Sequence, residues 1–174
     1  MFFTSFLLAL ASFQIGSALP LNDHEVEFPE VIPGEGLPSL ESLNLTSAQL
    51  YQLPKPQLPQ GEISLMFTPR CGPSENAYTQ VNGVIACYHY LLNLGSRRCE
   101  VPSGRARREM CRSGYAKVSG QAITANSQSS ACRDVARGLL WVIDSCTRRD
   151  QSVAGHNAAY NNGNLIVGGT HIQW

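Results

Sequence analysis

Cysteine is the residue type whose number and spacing indicate most about the chemistry of this chain. The 174-residue sequence has six cysteines, all in its last 104 residues. An even set in a short exported domain indicates three disulfides, because such a domain buries too little apolar surface to be stable by its core alone. No pair has C-x-x-C spacing, so we expect neither a metal nor a cofactor. The six are Cys71, Cys87, Cys99, Cys111, Cys132 and Cys146.

Arginine is the second informative residue type. Six arginines lie within sixteen residues, around the loop Pro102–Glu109, which begins and ends near a cysteine. Such a loop can bind sulfated or phosphorylated surfaces, anionic lipid or acidic glycan, because a planar guanidinium pairs with two anionic oxygens at once. No aromatic residues interleave these arginines as stacking platforms, so nucleic acid is not an expected partner. The six are Arg97, Arg98, Arg105, Arg107, Arg108 and Arg112.

Two other interpretations of the arginines stay open. Charged side chains in a loop are often simply solvated, and the cluster would then have no binding partner. Secretory endoproteases also cut at dibasic pairs, and Arg97-Arg98 and Arg107-Arg108 are such pairs. Cleavage within the loop would leave two chains joined by disulfides.

Candidates for acid–base catalysis are few. His89, His156 and His171 are each isolated in sequence, and the chain has no G-x-S-x-G elbow, H-E-x-x-H pair or phosphate-binding glycine loop. We therefore predict no catalytic residues and no enzyme activity. The alternative is a small secreted ribonuclease-like hydrolase, for which His89, Glu100 and Arg98 could supply a histidine, an acid and an anion-binding group.

Two aspartates lie on the predicted second helix of the domain. Asp134 and Asp144 are ten residues apart, or about 15 Å along a helix axis at 1.5 Å per residue. A glycosidase pair needs a separation of about 5–9.5 Å. We interpret them as solvated partners of Arg137 and Arg148 at helical spacing.

Residues 1–18 read as a signal peptide. Met1–Ile15 carries no charged side chain and has an apolar centre at Phe6–Leu10, and small residues stand at Gly16 and Ala18, as a cleavage site requires. The stretch is shorter than the roughly 20 residues that cross a bilayer. The sequence therefore predicts a secreted, extracellular protein without a transmembrane segment.

Residues 19–60 differ in composition from the rest. They hold seven of the ten prolines and no cysteine, and residues 19–62 carry seven acidic side chains against one lysine, Lys55. The remaining 112 residues carry twelve basic and six acidic side chains. We expect 19–60 to be a disordered arm, either an acidic propeptide over the basic domain or a solubilising linker, with one short helix at Ser39–Tyr51. Asn44 begins a glycosylation sequon in this arm.

Residues 61–174 read as one disulfide-stabilised domain. Apolar residues at helical spacing predict a helix from an N-cap at Asn82 to Gly95, and a second helix over Cys132–Cys146. Both helices carry cysteines on their apolar faces, so we expect disulfides that tie helix to sheet. Gly138 lies within the second helix and can allow close approach of a neighbouring element. Strands are predicted at Gly61–Arg70, Arg97–Val101, Ser113–Ile123, Ala158–Tyr160 and Leu165–Val167, with a loop over Pro102–Arg108.

The last two strands are predicted to form a hairpin with Asn162-Gly163 in a type I′ turn. The order of elements is then strand, helix, strand, strand, helix, strand, strand. This order indicates an α+β fold, a two-layer sandwich in which two helices pack on one face of an antiparallel sheet held by three disulfides.

The segment Ala131–Gly138 (ACRDVARG), the later Cys146 and the turn-and-strand segment Asn162–Val167 (NGNLIV) resemble small secreted fungal proteins of the killer-toxin-like superfamily. The resemblance covers roughly residues 61–170. That group includes the virus-encoded killer toxin of smut fungi, the salt-mediated yeast killer toxin and candidate plant-pathogen effectors. The lysine associated with activity in the smut toxin has no match here, so channel blocking is not carried over.

The resemblance implies a non-enzymatic secreted toxin or effector that binds a host or competitor cell. We expect a monomer whose cell-surface target is anionic and is contacted through the basic loop. Two alternatives stay open: the ribonuclease-like hydrolase, and a structural or adhesive cell-wall protein that retains a glycosylated arm.

Overall fold

The computed structural model describes residues 27–57 and 67–174. The predicted signal peptide, the first residues of the arm and most of the first predicted strand lie outside the described residues. Three α-helices are present in the described part of the chain: α1 (Ser47–Gln52), α2 (Val81–Asn93) and α3 (Cys132–Cys146). Strands and turns of 3-10 helix make up the other regular elements.

Ten strands are described, and all their pairings are antiparallel. Six of them form one sheet in the order β1-β5-β6-β10-β9-β2, and the pairs β3-β8 and β4-β7 form two small ribbons. The strands are β1 (Val31–Pro33), β2 (Arg70–Cys71), β3 (Thr79–Gln80), β4 (Arg98–Val101), β5 (Arg107–Ser113), β6 (Ala116–Ala122), β7 (Gln128–Ala131), β8 (Ser152–Val153), β9 (Gly155–Ala159) and β10 (Asn162–His171).

Helices α2 and α3 pack against each other and cover one face of the large sheet. Glycines permit the closest approaches. A β-carbon on Gly83 of α2 would meet the Ala116 side chain of β6 at 2.7 Å, and one on Gly138 of α3 would collide with the carbonyl oxygen of Ala158 in β9. The α+β sandwich with two helices on one face is therefore confirmed, and so is the close approach at Gly138.

Three disulfides join the helix layer to the strands. Cys87 of α2 bonds to Cys111 of β5, Cys132 of α3 bonds to Cys99 of β4, and Cys146 at the end of α3 bonds to Cys71 of β2. Each bridge therefore links a helix to a strand, as the cysteines on the apolar helix faces predicted. No free cysteine is present in the described residues.

The large sheet has one covered face and one open face. Along β6 the residues alternate strictly between buried and half-buried. The buried positions, such as Val118, join the core with the apolar faces of α2 and α3. The half-buried positions are polar and lie on the face without helices: Lys117, Ser119 and Gln121.

The prediction of a disordered arm is wrong for residues 27–57. Strand β1 pairs with β5, and Leu50 of α1 is fully buried in the core. A capping box between Thr46 and Gln49 begins α1, so the predicted short helix is real but begins at Ser47, after a 3-10 turn at Glu41–Leu43. The leucines and Tyr51 supply the apolar contacts that outweigh the prolines and charges of this segment.

Three local predictions also need correction. Arg107 and Arg108 belong to β5, which begins inside the predicted loop, because the charged run Arg107–Glu109 concealed a strand. Asn82 is not the N-cap of α2, since Gln80 takes that position. The hairpin turn lies at Tyr160-Asn161, where Asn161 adopts φ 58°, and Asn162 already pairs with Ala159.

None of the helices in the described ranges has the length and apolar character needed to cross a bilayer.

Candidate functional site

A groove crosses the open face of the six-stranded sheet. Its central part is a cavity of ≈ 250 Å³, bordered by Gly72, Pro73 and Trp174. A shallower depression continues beyond His156 to Phe67 and Arg70. Side chains and backbone of four strands line the central part, among them Arg107, Ser119, Gln121, His156, Gly168 and Thr170.

The strand register places one row of residues across the groove. His156 of β9 lies opposite Arg70 of β2 on one side and Gly168 of β10 on the other, and Gly168 lies opposite Ser119 of β6. Directly opposite residues have β-carbons about 5 Å apart, so Arg70 and His156 are close neighbours. Glu109 of β5 continues the row beyond Ser119. It lies three strand spacings from His156, or about 14 Å at 4.7–4.9 Å per spacing.

His156 is the titratable group at the centre of the groove. Burial lowers the pKa of its imidazole, and the positive charges of Arg70 and Arg107 lower it further. Its ring centroid lies 5.9 Å from that of Phe67 in a tilted contact. The ring is therefore held in its neutral form at pH 7, and protonation would add a third positive charge to the groove.

Hydrogen bonds fix the rim of the groove at its β5 end. The Nη1 group of Arg107 donates to the main-chain oxygen of Trp174 at 3.2 Å, and the Nε2 group of Gln121 donates to the carbonyl oxygen of Arg105 at 2.6 Å. The loop before β5 is therefore attached to the groove wall. A guanidinium has five N–H donors, so Arg107 retains donors for a ligand after this bond.

The six arginines of the predicted basic loop do not form one site in the structure. Arg98 forms an ion pair with Glu100 at 3.4 Å, and Arg112 forms one with Glu109 at 3.7 Å. These four side chains are all more than a third exposed, so the pairs contribute little to stability. Their charges are nevertheless locally balanced, which reduces what they offer to an anionic ligand.

The other four arginines differ in position. Arg108 donates through Nη2 to the carbonyl oxygen of Glu35 in the arm at 3.1 Å. Arg97 is exposed just before β4. Arg105 and Arg107 lie beside the groove, so only this part of the predicted basic loop adjoins the cavity that His156 lines.

A second cavity, of ≈ 170 Å³, lies between the arm and the start of β5. Arg98 and Arg108 line it together with Glu35, Glu100 and Glu109. Any ligand there meets charges of both signs, so this cavity favours an anion less than the sheet groove does.

The residues proposed for the ribonuclease-like alternative are not assembled into one site. His89 is 8% exposed, and its Nε2 atom lies 3.2 Å from the carbonyl oxygen of Pro54 in the arm. Burial lowers its pKa. Arg98 and Glu100 pair with each other at the surface on β4. His89 is therefore a packed histidine at the contact between α2 and the arm.

The remaining candidates for acid–base chemistry are also dispersed. His171 stacks on Tyr115 with ring centroids 5.6 Å apart. Asp134 forms an ion pair with Arg137 at 3.5 Å, as its helical spacing predicted, whereas Asp144 is exposed. No group of three or more His, Cys, Asp or Glu side chains in the described residues is placed to hold a metal ion.

The sequence interpretation missed His156 and Arg70 as members of one site. They are far apart in the chain and become neighbours only because β2 pairs with β9. A weak signal was present, since His156 lies just before the predicted strand Ala158–Tyr160. No local sequence pattern specifies which residue lies opposite it.

The chain was also compared with known proteins. A family model described as a domain of unknown function (DUF8794) matches residues 67–171, which include α2, α3, the three disulfides and the strand residues of the groove. No curated protein and no solved structure matches the chain.

Proposed function

The chain belongs to the DUF8794 family, and we propose that it is a secreted, toxin-like or effector protein that acts by binding an anionic group on its target. The observation that carries this proposal is the groove on the open sheet face. Its described lining includes Arg107, His156 and Arg70 but no carboxylate side chain. An anion there meets the positive charge of arginine side chains, and none of the described lining residues is an aspartate or a glutamate.

Export is supported by two independent features. The apolar leader Met1–Ala18 has the form of a signal peptide. Three disulfides are also typical of proteins that fold in an oxidising compartment, since cytosolic thiols are kept reduced. The resemblance to killer-toxin-like proteins agrees with export, and a relationship to that superfamily stays a prediction.

Binding is favoured over catalysis by the composition of the groove. His156 is the only histidine among its described lining residues. Glu109, the carboxylate in its row, lies three strands away and is paired with Arg112, so it is not placed as the acid–base partner of His156. The same residues are suited to holding an anion in place.

The groove adjoins the loop before β5, so the two together form a longer binding surface. Arg105 is joined to the groove wall through Gln121, and Arg107 lines the cavity itself. An extended anionic target, such as a cell-surface polymer, could therefore contact the groove and the loop together. Its attraction to these exposed cations would weaken as salt increases.

Retention of the secreted protein on dextran sulfate, compared with uncharged dextran, tests the proposal. We expect retention on the sulfated polymer alone and a dissociation constant at least about tenfold higher for the double variant Arg105→Gln/Arg107→Gln. The matched control is Arg133→Gln/Arg149→Gln, which removes the same charge from exposed positions outside the groove lining. Equal losses for both variants, or no retention of the native protein, would contradict the proposal.

A further inference from the structure

We infer that the groove is a saccharide site that holds an acidic sugar unit, with the anionic substituent between Arg70, His156 and Arg107. This inference rests on the proposed function and names its ligand class. The sugar is one that carries a sulfate or a carboxylate group, as part of a polymer.

The cationic part of the site comes from three different strands. Arg70 of β2 is paired in register with His156 of β9, and Arg107 of β5 enters from the other end of the cavity. Both arginines are close enough to influence the charge of His156. An anion in the groove is therefore attracted by guanidinium groups at both ends, each able to donate two parallel hydrogen bonds.

The neutral polar part of the site lies between these charges. Ser119, Gln121 and Thr170 line the cavity from β6 and β10. Each can both donate and accept hydrogen bonds, which is what the hydroxyl groups of a sugar require. Inorganic sulfate or phosphate alone would leave these groups without a role.

The apolar part of the site consists of flat or compact surfaces at its borders. Trp174 and Pro73 border the cavity, Ile166 contributes from its floor, and Phe67 lies beside His156 in the adjoining depression. The C–H face of a sugar ring can pack on such surfaces while its hydroxyls reach polar groups. The tryptophan is 39% exposed, so part of its indole is accessible to a ligand.

The dimensions of the groove favour one unit of a longer chain. The central cavity of ≈ 250 Å³ is smaller than the roughly 300–1,000 Å³ of sites for drug-sized ligands. The groove nevertheless extends from β5 to β2, which are four strand spacings apart in the sheet, or about 19 Å at the usual spacing. A polymer could lie across it and place a single charged unit in the centre.

Two other anionic ligands fit the groove less well. A lipid surface would call for a cluster of exposed apolar side chains, but the large exposed apolar residues in the described ranges lie on different elements: Leu53, Leu92, Tyr115, Ile123 and Trp174. A nucleic-acid strand would call for successive aromatic platforms at the spacing of its bases, whereas the central cavity offers a single indole, that of Trp174, besides the imidazole of His156.

A fluorescence titration tests the inference, because Trp174 borders the cavity. A sulfated disaccharide is titrated into the full secreted protein, and the same disaccharide without sulfate serves as the uncharged control. We expect saturable binding of the sulfated form and at least about tenfold weaker binding by Arg70→Gln, with Arg133→Gln unchanged. Thermal unfolding of both variants shows that each is folded.

The outcomes separate this inference from the proposed function. If dextran sulfate is retained but the disaccharide does not bind, the saccharide site is overturned while anion binding stands. Equal affinity for inorganic sulfate and the sulfated disaccharide would also overturn the assignment to a sugar. If the native protein is not retained on dextran sulfate, the proposed function itself is contradicted.

Discussion

The two faces of the six-stranded sheet differ in what their residues do. On the covered face, Cys71, Cys111 and the glycines that permit close packing contact the helix layer. On the open face, Ser119, Gln121 and His156 carry polar side chains and line a cavity. The alternation along β6 assigns each successive residue to one role or the other.

This division means that stability and binding depend on different residues of the same strands. Changes on the covered face should unfold the protein, and changes on the open face should weaken binding and leave the fold intact.

Removal of the disulfide between α3 and β4 should have the largest effect. Cys99 and Cys132 are both fully buried and are 33 residues apart in sequence. We expect Cys99→Ala/Cys132→Ala to reduce the free energy of unfolding by about 4 kcal/mol, because the open chain gains conformational entropy. Urea unfolding measures the change. A loss below about 1 kcal/mol would show that the stability of the helix layer does not depend on this bridge.

A matched pair of glycine substitutions should show that the two faces differ in their contribution to the free energy of unfolding. We expect Gly138→Ala to cost about 2–3 kcal/mol, because its new methyl group would overlap the backbone of Ala158 in β9. Gly168 lies on the open face beside His156, where a β-carbon would come within 3.0 Å of the Gly155 carbonyl oxygen and 3.5 Å of the His156 β-carbon. Gly168→Ala should cost less than about 1 kcal/mol, since surface substitutions usually have small effects.

For ligand affinity we expect the opposite order, with the larger loss in Gly168→Ala and the smaller loss in Gly138→Ala. The methyl group of Gly168→Ala enters the groove, so the affinity for a sulfated ligand should fall. Gly138→Ala, measured well below its unfolding temperature, should bind normally. Urea unfolding and the fluorescence titration provide the two readouts. The separation of faces would be wrong if both variants lost stability and affinity in the same proportion.

The effect of pH on binding should be smaller. Burial and the charges of Arg70 and Arg107 lower the pKa of His156 below its ordinary value of 6.5, so the imidazole is neutral at pH 7.5 and gains a proton in acid. A sulfate group stays charged throughout, so binding should strengthen by about threefold to fivefold between pH 7.5 and 5.5. In His156→Asn the affinity should be independent of pH over this range. Weaker binding in acid would contradict the role of His156.

Folding stability should change in the opposite direction over the same interval. His89 and His156 both have lowered pKa values in the folded protein. As pH falls below about 6.5, the unfolded chain takes up protons that the folded chain resists, so stability present at higher pH is lost. Stronger binding at lower pH therefore cannot result from a more stable fold.

Much of the fold could be predicted because local periodicity determines it. Helix α3 follows a regular apolar stripe, and the even number of cysteines indicated three disulfides. Strand β5 was missed because its first residues are charged and because Met110 and Cys111 are both buried at an irregularity in the pairing. That irregularity removes the alternation by which a strand is recognised.

The arm and the groove could be predicted only in part. The arm was predicted as disordered from its prolines and charges, yet Val31 and Leu50 are buried against a domain that sequence patterns do not place beside them. The arginine cluster pointed to anion binding. The contribution of Arg70 and His156 depends on the order of strands in the sheet, which no local pattern specifies.

The most direct test of the account is an NMR titration of the ¹⁵N-labelled protein with a sulfated disaccharide. The account predicts that the largest amide shift changes occur on the open face, at Arg70, Ser119, His156 and Gly168. The amide of Arg133 at the start of α3, which donates to the carbonyl oxygen of Gly95, should hardly move. Shift changes centred on the helix layer, or none at saturating ligand, would contradict the assignment of binding to the open face.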